Sequence, residues 1–140
     1  MISWEDFLTL AREQFGFLEL DYGFVCTSDK APFLTFSSEN IDIGIFYDIN
    51  RRGELDLGIR RKRDMGKHIP SFGIYEFKRL VGLADKKMSP FPKTKEEMWQ
   101  ELNILAKDLK TYCQSVLKGD MSDFSVIEKE RKEAEWRYTQ

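Results

Sequence analysis

Residues 41–64 read IDIGIFYDINRRGELDLGIRRKRD. Two runs in this stretch alternate apolar and polar side chains. Ile41, Ile43, Ile45 and Tyr47 alternate with Asp42, Gly44, Phe46 and Asp48. Leu55, Leu57 and Ile59 alternate with Asp56, Gly58 and Arg60. A period of two marks strands with one buried and one solvated face. The connecting DINRRG carries Gly53, which can supply the positive φ that a short hairpin loop needs. The stretch therefore predicts an antiparallel hairpin of 41–48 with 54–61. It ends in four consecutive cations, Arg60, Arg61, Lys62 and Arg63. These are either a binding device or the soluble end of a strand.

Working outward, FVCT and FLTFSS, the latter after Pro32, supply two more strand candidates. Before them, SWEDFLTLAREQFGFLEL predicts a helix over about residues 3–20, with Ser3 as N-cap and Gly16 as an internal weakness. Gly23 closes it. After the hairpin, DMGKHIPSFG reads as a loop and IYEFKRLVGL as a short helix. KKMSPFPK is a connector. The segment from Thr94 is the strongest helix signal. Thr94 and Glu97 form a capping box, and Met98, Leu102, Leu105, Leu109, Tyr112 and Val116 repeat at helical spacing. Trp99, Ala106 and Cys113 widen this stripe, and Gly119 stands at the C-terminal stop. The last segment, capped by Ser122 or Asp123, predicts a helix that docks at its start and then runs into solvent. The order is helix, four strands, then helices. It predicts a single α+β domain over 1–140, an antiparallel sheet of about four strands with helices on one face.

The chain has 140 residues, 41 % hydrophobic and 33 % charged, the balance of a water-soluble globular protein. No apolar run approaches a membrane span, and the early acids of MISWEDF do not suit a signal peptide. Two unrelated cysteines, Cys26 and Cys113, read as free thiols in a reducing cytosol, with a disulfide as the alternative. The expected location is cytoplasmic. Net charge is −2, but residues 1–48 hold nine acids and two bases, a local −7. That excess suits a basic partner.

The single histidine, His68, stands without a second histidine or a cysteine cluster, so no zinc site is expected. A Cys–His pair with Cys26 or Cys113 is formally open, although both thiols sit in apolar patterns. No Gly-rich phosphate loop or nucleophile elbow occurs. No catalytic residue, metal or cofactor is therefore expected. The Arg60–Arg63 run could contact nucleic-acid phosphate, but Glu54, Asp56 and Asp64 dilute it and the pI is about 5.5. Its other reading is a soluble or protected strand end. Asp48 can accept hydrogen bonds from loop amides, and Arg51 or Arg52 can pair with Asp48 or Glu54, which would fix the hairpin register.

The segments FLELDYGF, FSSENIDIGIFYD, RRGELDLGI, FGIYEFKRLVG and VLKGD give the chain a pattern across most of its length. This pattern resembles small bacterial proteins found beside polymorphic toxins, including immunity proteins of contact-dependent growth inhibition systems. The resemblance implies a protein that binds and neutralises one cognate toxin domain. Such toxins are often nucleases with basic active sites. Expected partner contacts are exposed acids and aromatics: Glu19, Asp21, Tyr22, Glu39, Asp42 and Asp48. The alternatives are a nucleic-acid-binding module using Arg60, Arg61, Lys62 and Arg63, and a non-catalytic subunit of a larger complex that uses the exposed C-terminal helix.

Overall fold

The hairpin forms in the register its alternation dictates. In the computed structural model, which describes residues 1–62, 71–83 and 89–139, strand β3 (Ile41–Asp48) runs antiparallel to β4 (Glu54–Arg61). Ile43 pairs with Ile59, Ile45 with Leu57, and Tyr47 with Leu55, all on one face. The intervening residues, Asp42 with Arg60 through Asp48 with Glu54, stand on the other. At the tip, a 3-10 turn (Ile49–Arg51) is followed by Arg52 at φ 64° and Gly53 at φ 76°. Gly53 meets both demands of its position. It adopts the left-handed backbone, and a Cβ there would press on the Tyr47 ring at 3.4 Å.

Strands β1 (Val25–Ser28) and β2 (Phe33–Ser37) complete a four-stranded antiparallel meander in the order β1-β2-β3-β4. The apolar face carries Leu34 and Phe36 beside the hairpin's isoleucines and leucines, all buried. Among the described residues, helices cover this face alone. They are α1 (Trp4–Phe15), α2 (Phe17–Tyr22), α3 (Ile74–Leu80), α4 (Lys95–Tyr112), α5 (Gln114–Leu117) and α6 (Ser122–Thr139). Phe7, Ala11 and Phe15 of α1 and Met98, Leu102, Ala106 and Leu109 of α4 join one continuous core with the sheet. Fully burying each large side chain of this kind stabilises the fold by roughly 1.5–3 kcal/mol.

Both expected caps form. Ser3 Oγ accepts from the Asp6 amide, and Thr94 with Glu97 makes the complete capping box. The expected helix over 3–20 is instead two, broken at Gly16, where the weak helix propensity of glycine meets a change of direction. Gly23, at φ 70°, ends the second as expected. The long C-terminal helix also breaks early, at Cys113 (φ −115°, ψ 15°). This turn lets Cys113, Val116 and Leu117 all face the core. Trp99 does not belong to the buried stripe; it is exposed, as are Val126 and Trp136 of α6. The docking of α6 is confined to its start, at Phe124 and Ile127.

The free edge of β4 is closed by other parts of the chain. The Leu55 amide donates to the Pro90 carbonyl at 2.9 Å, the Leu57 amide to Asp56 Oδ1 at 2.8 Å, and the Ile59 amide to the Phe72 carbonyl at 2.8 Å. An edge strand so occupied offers no template for a foreign strand.

Tyr47 ties the start of the chain to the sheet. Its ring stacks on Phe7 at 5.1 Å, and its hydroxyl donates to the Ile2 carbonyl at 2.6 Å. Burial raises the phenol above its ordinary pKa, opposed by that hydrogen bond. Tyr47→Phe strands the Ile2 carbonyl and should lower unfolding free energy in urea by about 1–3 kcal/mol, without changing the far-UV circular dichroism. A loss below about 0.3 kcal/mol would show that this bond contributes nothing net.

Candidate functional site

The sheet face opposite the helices is the candidate site. Its floor is set by the sequence. The polar positions of the hairpin put Asp42, Gly44, Phe46 and Asp48 beside Glu54, Asp56, Gly58 and Arg60. A shallow trough of about 530 Å³ runs over Gly44 and Gly58, which are directly opposed across β3 and β4. Each glycine has a close neighbour. The Phe33 ring lies 3.4 Å from where a Gly44 Cβ would stand, and a Cβ on Gly58 would overlap Ser71. A side chain at Gly58 would displace Ser71, while a Cβ at Gly44 would come into ordinary contact with the Phe33 ring.

An aromatic pair walls one end. Phe33 and Phe46 are cross-strand partners with ring centroids 5.1 Å apart, and Phe33 remains 46 % exposed. A polar ladder closes the other end across all four strands. Thr27 Oγ1 lies 2.8 Å from Ser37 Oγ, which donates to Asp42 Oδ1 at 2.6 Å. Arg60 Nε donates to Asp42 Oδ2 at 3.2 Å. Four carboxylates (Asp42, Asp48, Glu54 and Asp56) stand on this face against one arginine from the strands, with Lys30 reaching in from the β1–β2 loop. Asp48 and Glu54 are directly opposed like charges, an arrangement that costs stability in an isolated sheet.

The six residues expected to contact a partner do not form one patch. Glu19, Asp21 and Tyr22 lie on α2, the first two exposed and Tyr22 half-buried. Glu39 is exposed in the β2–β3 turn. Asp42 and Asp48 share the open sheet face, about 20 Å apart along β3. Both also do structural work. Asp42 anchors the ladder, while Asp48 Oδ1 accepts from the Asn50 amide at 2.9 Å and Arg51 lies 3.7 Å away. Sequence reasoning put Asp56 on the polar side of the hairpin but did not name Phe33, Glu54 or Asp56 as partner contacts. Phe46 was the available signal, an aromatic ring standing among the polar positions of the hairpin.

The basic run is largely engaged within the chain. Arg60 holds Asp42. Arg61 grips Glu128 through two hydrogen bonds, at 2.8 and 3.3 Å, and its guanidinium lies 5.3 Å from the Phe124 ring centroid. Lys62 Nζ donates to the Ser38 carbonyl at 3.4 Å. Arg63 and His68 lie outside the described residues. The arginines thus fasten the sheet face and α6, which accounts for a cationic run in an acidic protein.

Both cysteines are free thiols, but only Cys113 is fully buried; Cys26 is half-buried. Among the described residues, no group of three or more His, Cys, Asp or Glu side chains is placed to hold a metal ion, and no helix is long and apolar enough to cross a membrane. Burial first, then the Asp108 and Asp123 carboxylates, push the Cys113 thiol far above its ordinary pKa. The folded chain therefore keeps this proton after the unfolded chain has released it. Stability linked to Cys113 is full below the unfolded thiol pKa of about 8.5 and falls as pH rises past it. Urea unfolding between about pH 8 and 9.5 should show a slope approaching 1.4 kcal/mol lost per pH unit at the upper end. Cys113→Ala should flatten it; an unchanged slope in that variant contradicts the assignment.

No known protein family, curated protein or solved structure matches this chain.

Proposed function

We propose that the chain is an immunity protein that binds a cognate toxin domain and neutralises it by covering its active or docking surface, with the open sheet face as the contact. The observation that carries this reading is the one-sided sheet. Among the described residues, helices cover one face, while the other displays an aromatic pair, Phe33 exposed and Phe46 half-buried, and four carboxylates on a hydrogen-bonded scaffold. Rigid aromatic anchors within a polar rim suit protein recognition, because they bury large area at small entropic cost. The acid-rich first 48 residues, net −7, add a field that speeds encounter with a basic toxin surface.

The size of the face sets the shape of the contact. Four strands about 4.8 Å apart and four to eight residues long present roughly 400 Å². A stable interface needs about 800 Å² per partner. The toxin must therefore reach past the sheet, onto the β1–β2 loop with Lys30, the turn at Glu39 and the hairpin tip at Asp48. In this mechanism no bond is made or broken. Inhibition is stoichiometric and as long-lived as the complex.

A nucleic-acid module is not favoured, because Arg60 and Arg61 are held by Asp42 and Glu128. The decisive experiment is co-expression with the product of a neighbouring toxin-like reading frame. The chain should restore growth, and Phe33→Asp should weaken the purified complex about thirtyfold or more. Glu54→Lys should slow association, most clearly at low salt. The paired change Glu19→Lys with Asp21→Lys, on α2, should leave affinity within about threefold. Failure to rescue growth, or a complex disrupted only by the α2 changes, contradicts the reading.

A further inference from the structure

Helix α6 is fastened unlike any other helix of the fold. The α4 seam is apolar, built from Met98, Leu102, Ala106 and Leu109. Among the described side chains of α6, Phe124 and Ile127 are buried, and every one from Glu128 to Arg137 keeps some solvent exposure. Around these two apolar anchors the attachment is polar and ionic, beginning with Ser115 Oγ, which donates to Asp123 Oδ2 at 3.0 Å. Arg61 of β4 grips Glu128 and also reaches Ser125 Oγ at 3.3 Å. Arg79 of α3 meets Glu130 at 3.4 Å.

The third ion pair is the tightest. Arg131 Nη2 donates to Glu76 Oε1 and to the Ser71 carbonyl, and its guanidinium lies 4.2 Å from the Phe72 ring centroid. Glu76 is only 4 % exposed. Its Oε1 also accepts from the Tyr75 hydroxyl at 2.9 Å, while its Oε2 has no hydrogen-bond partner. Among the described residues, a buried carboxylate is thus balanced by one cation, and that cation is carried by a helix whose buried apolar anchors are Phe124 and Ile127. Such a pair adds little to stability while intact, yet losing one partner strands a charge in the interior. Beneath the seam lies an aromatic slot. Phe72 and Phe77 pack on Phe124 with centroids 4.7 and 6.4 Å away.

We infer that α6 is a releasable strap, an ionically latched helix that opens as a unit while the sheet and α4 stay folded, uncovering the slot of Phe72 and Phe77. The sequence sets the two regimes apart. The sheet and α4 are held by apolar burial, which added salt does not weaken. The strap joins that core at Phe124 and Ile127 and depends for the rest on ion pairs at 2.8 and 3.4 Å and on the Arg131–Glu76 contact, all subject to screening where water reaches them. The opening belongs to the class of sub-global unfolding in which a contiguous segment exchanges on its own.

Hydrogen–deuterium exchange on the full chain tests this. Peptides covering 122–131 should exchange about tenfold or more faster than those of β3 and β4. Raising NaCl from about 0.1 M to about 1 M, which shortens the screening length from about 10 Å to about 3 Å, should speed the 122–131 segment several-fold further and leave the sheet unchanged. Arg131→Met should speed it by about tenfold or more, and the paired change Arg131→Met with Glu76→Met should return it to within about threefold of the wild type. The wild-type salt comparison stands even if a variant folds poorly. Exchange of 122–131 at the rate of β3 and β4, or acceleration of every segment together, overturns the strap.

Discussion

The β3–β4 pairing is the constraint on which the rest of the molecule depends. Eight consecutive residue pairs, from Ile41 with Arg61 to Asp48 with Glu54, fix which side chains enter the core. A slip of one residue would turn the buried isoleucines to solvent and bring Asp42, Asp48, Glu54 and Asp56 against the helices. The cost of burying unpaired carboxylates forbids that arrangement. One register therefore survives, and with it one apolar face for the helices and one polar face left open. The Asp48–Asn50 hydrogen bond and the left-handed Arg52 and Gly53 hold the tip in the conformation this register needs.

Charge in this protein is spent mostly on architecture. Arg60 and Arg61 are neighbours at the end of β4 and Arg131 lies on α6, and each closes a contact that apolar packing leaves undone. Arg60 braces the open face through Asp42. Arg61 and Arg131 reach in opposite directions between the sheet side and α6, each lying against an aromatic ring. A guanidinium suits these positions because it combines planar stacking with fixed donors, which a lysine ammonium cannot reproduce. The carboxylates of the open face are a different case. The opposition of Asp48 and Glu54 across the strands works against the pairing, and it is offset at the tip, where Asp48 accepts from the Asn50 amide and lies near Arg51.

Most of the fold was legible in the sequence because its signals are local. Period-two alternation placed the hairpin with its bounds, the Thr94–Glu97 pair marked the start of α4, and Gly23 and Gly53 marked turns by their backbone freedom. Gly16 was legible as a weak point of the first helix though not as its break, and the break at Cys113 was not legible. Both answer to tertiary packing, the second bringing Cys113, Val116 and Leu117 onto one core. The open face was half legible. Alternation exposed Asp42 and Asp48, but no local signal told that Phe33 of another strand would meet Phe46, or that Glu19, Asp21 and Tyr22 would stand apart on α2. The fates of Arg61 and Glu76 were hidden for the same reason, since their partners lie 67 and 55 residues away.

Hydroxyl-radical footprinting of the chain alone and in complex with a toxin domain of the proposed kind addresses the open face most directly. Occupation of that face predicts strong protection of Phe33 and Phe46 on complex formation, while Leu20, 88 % exposed on α2, keeps its reactivity. Equal labelling of Phe33 and Phe46 in the free and bound chain, with protection appearing at Leu20 instead, would contradict it.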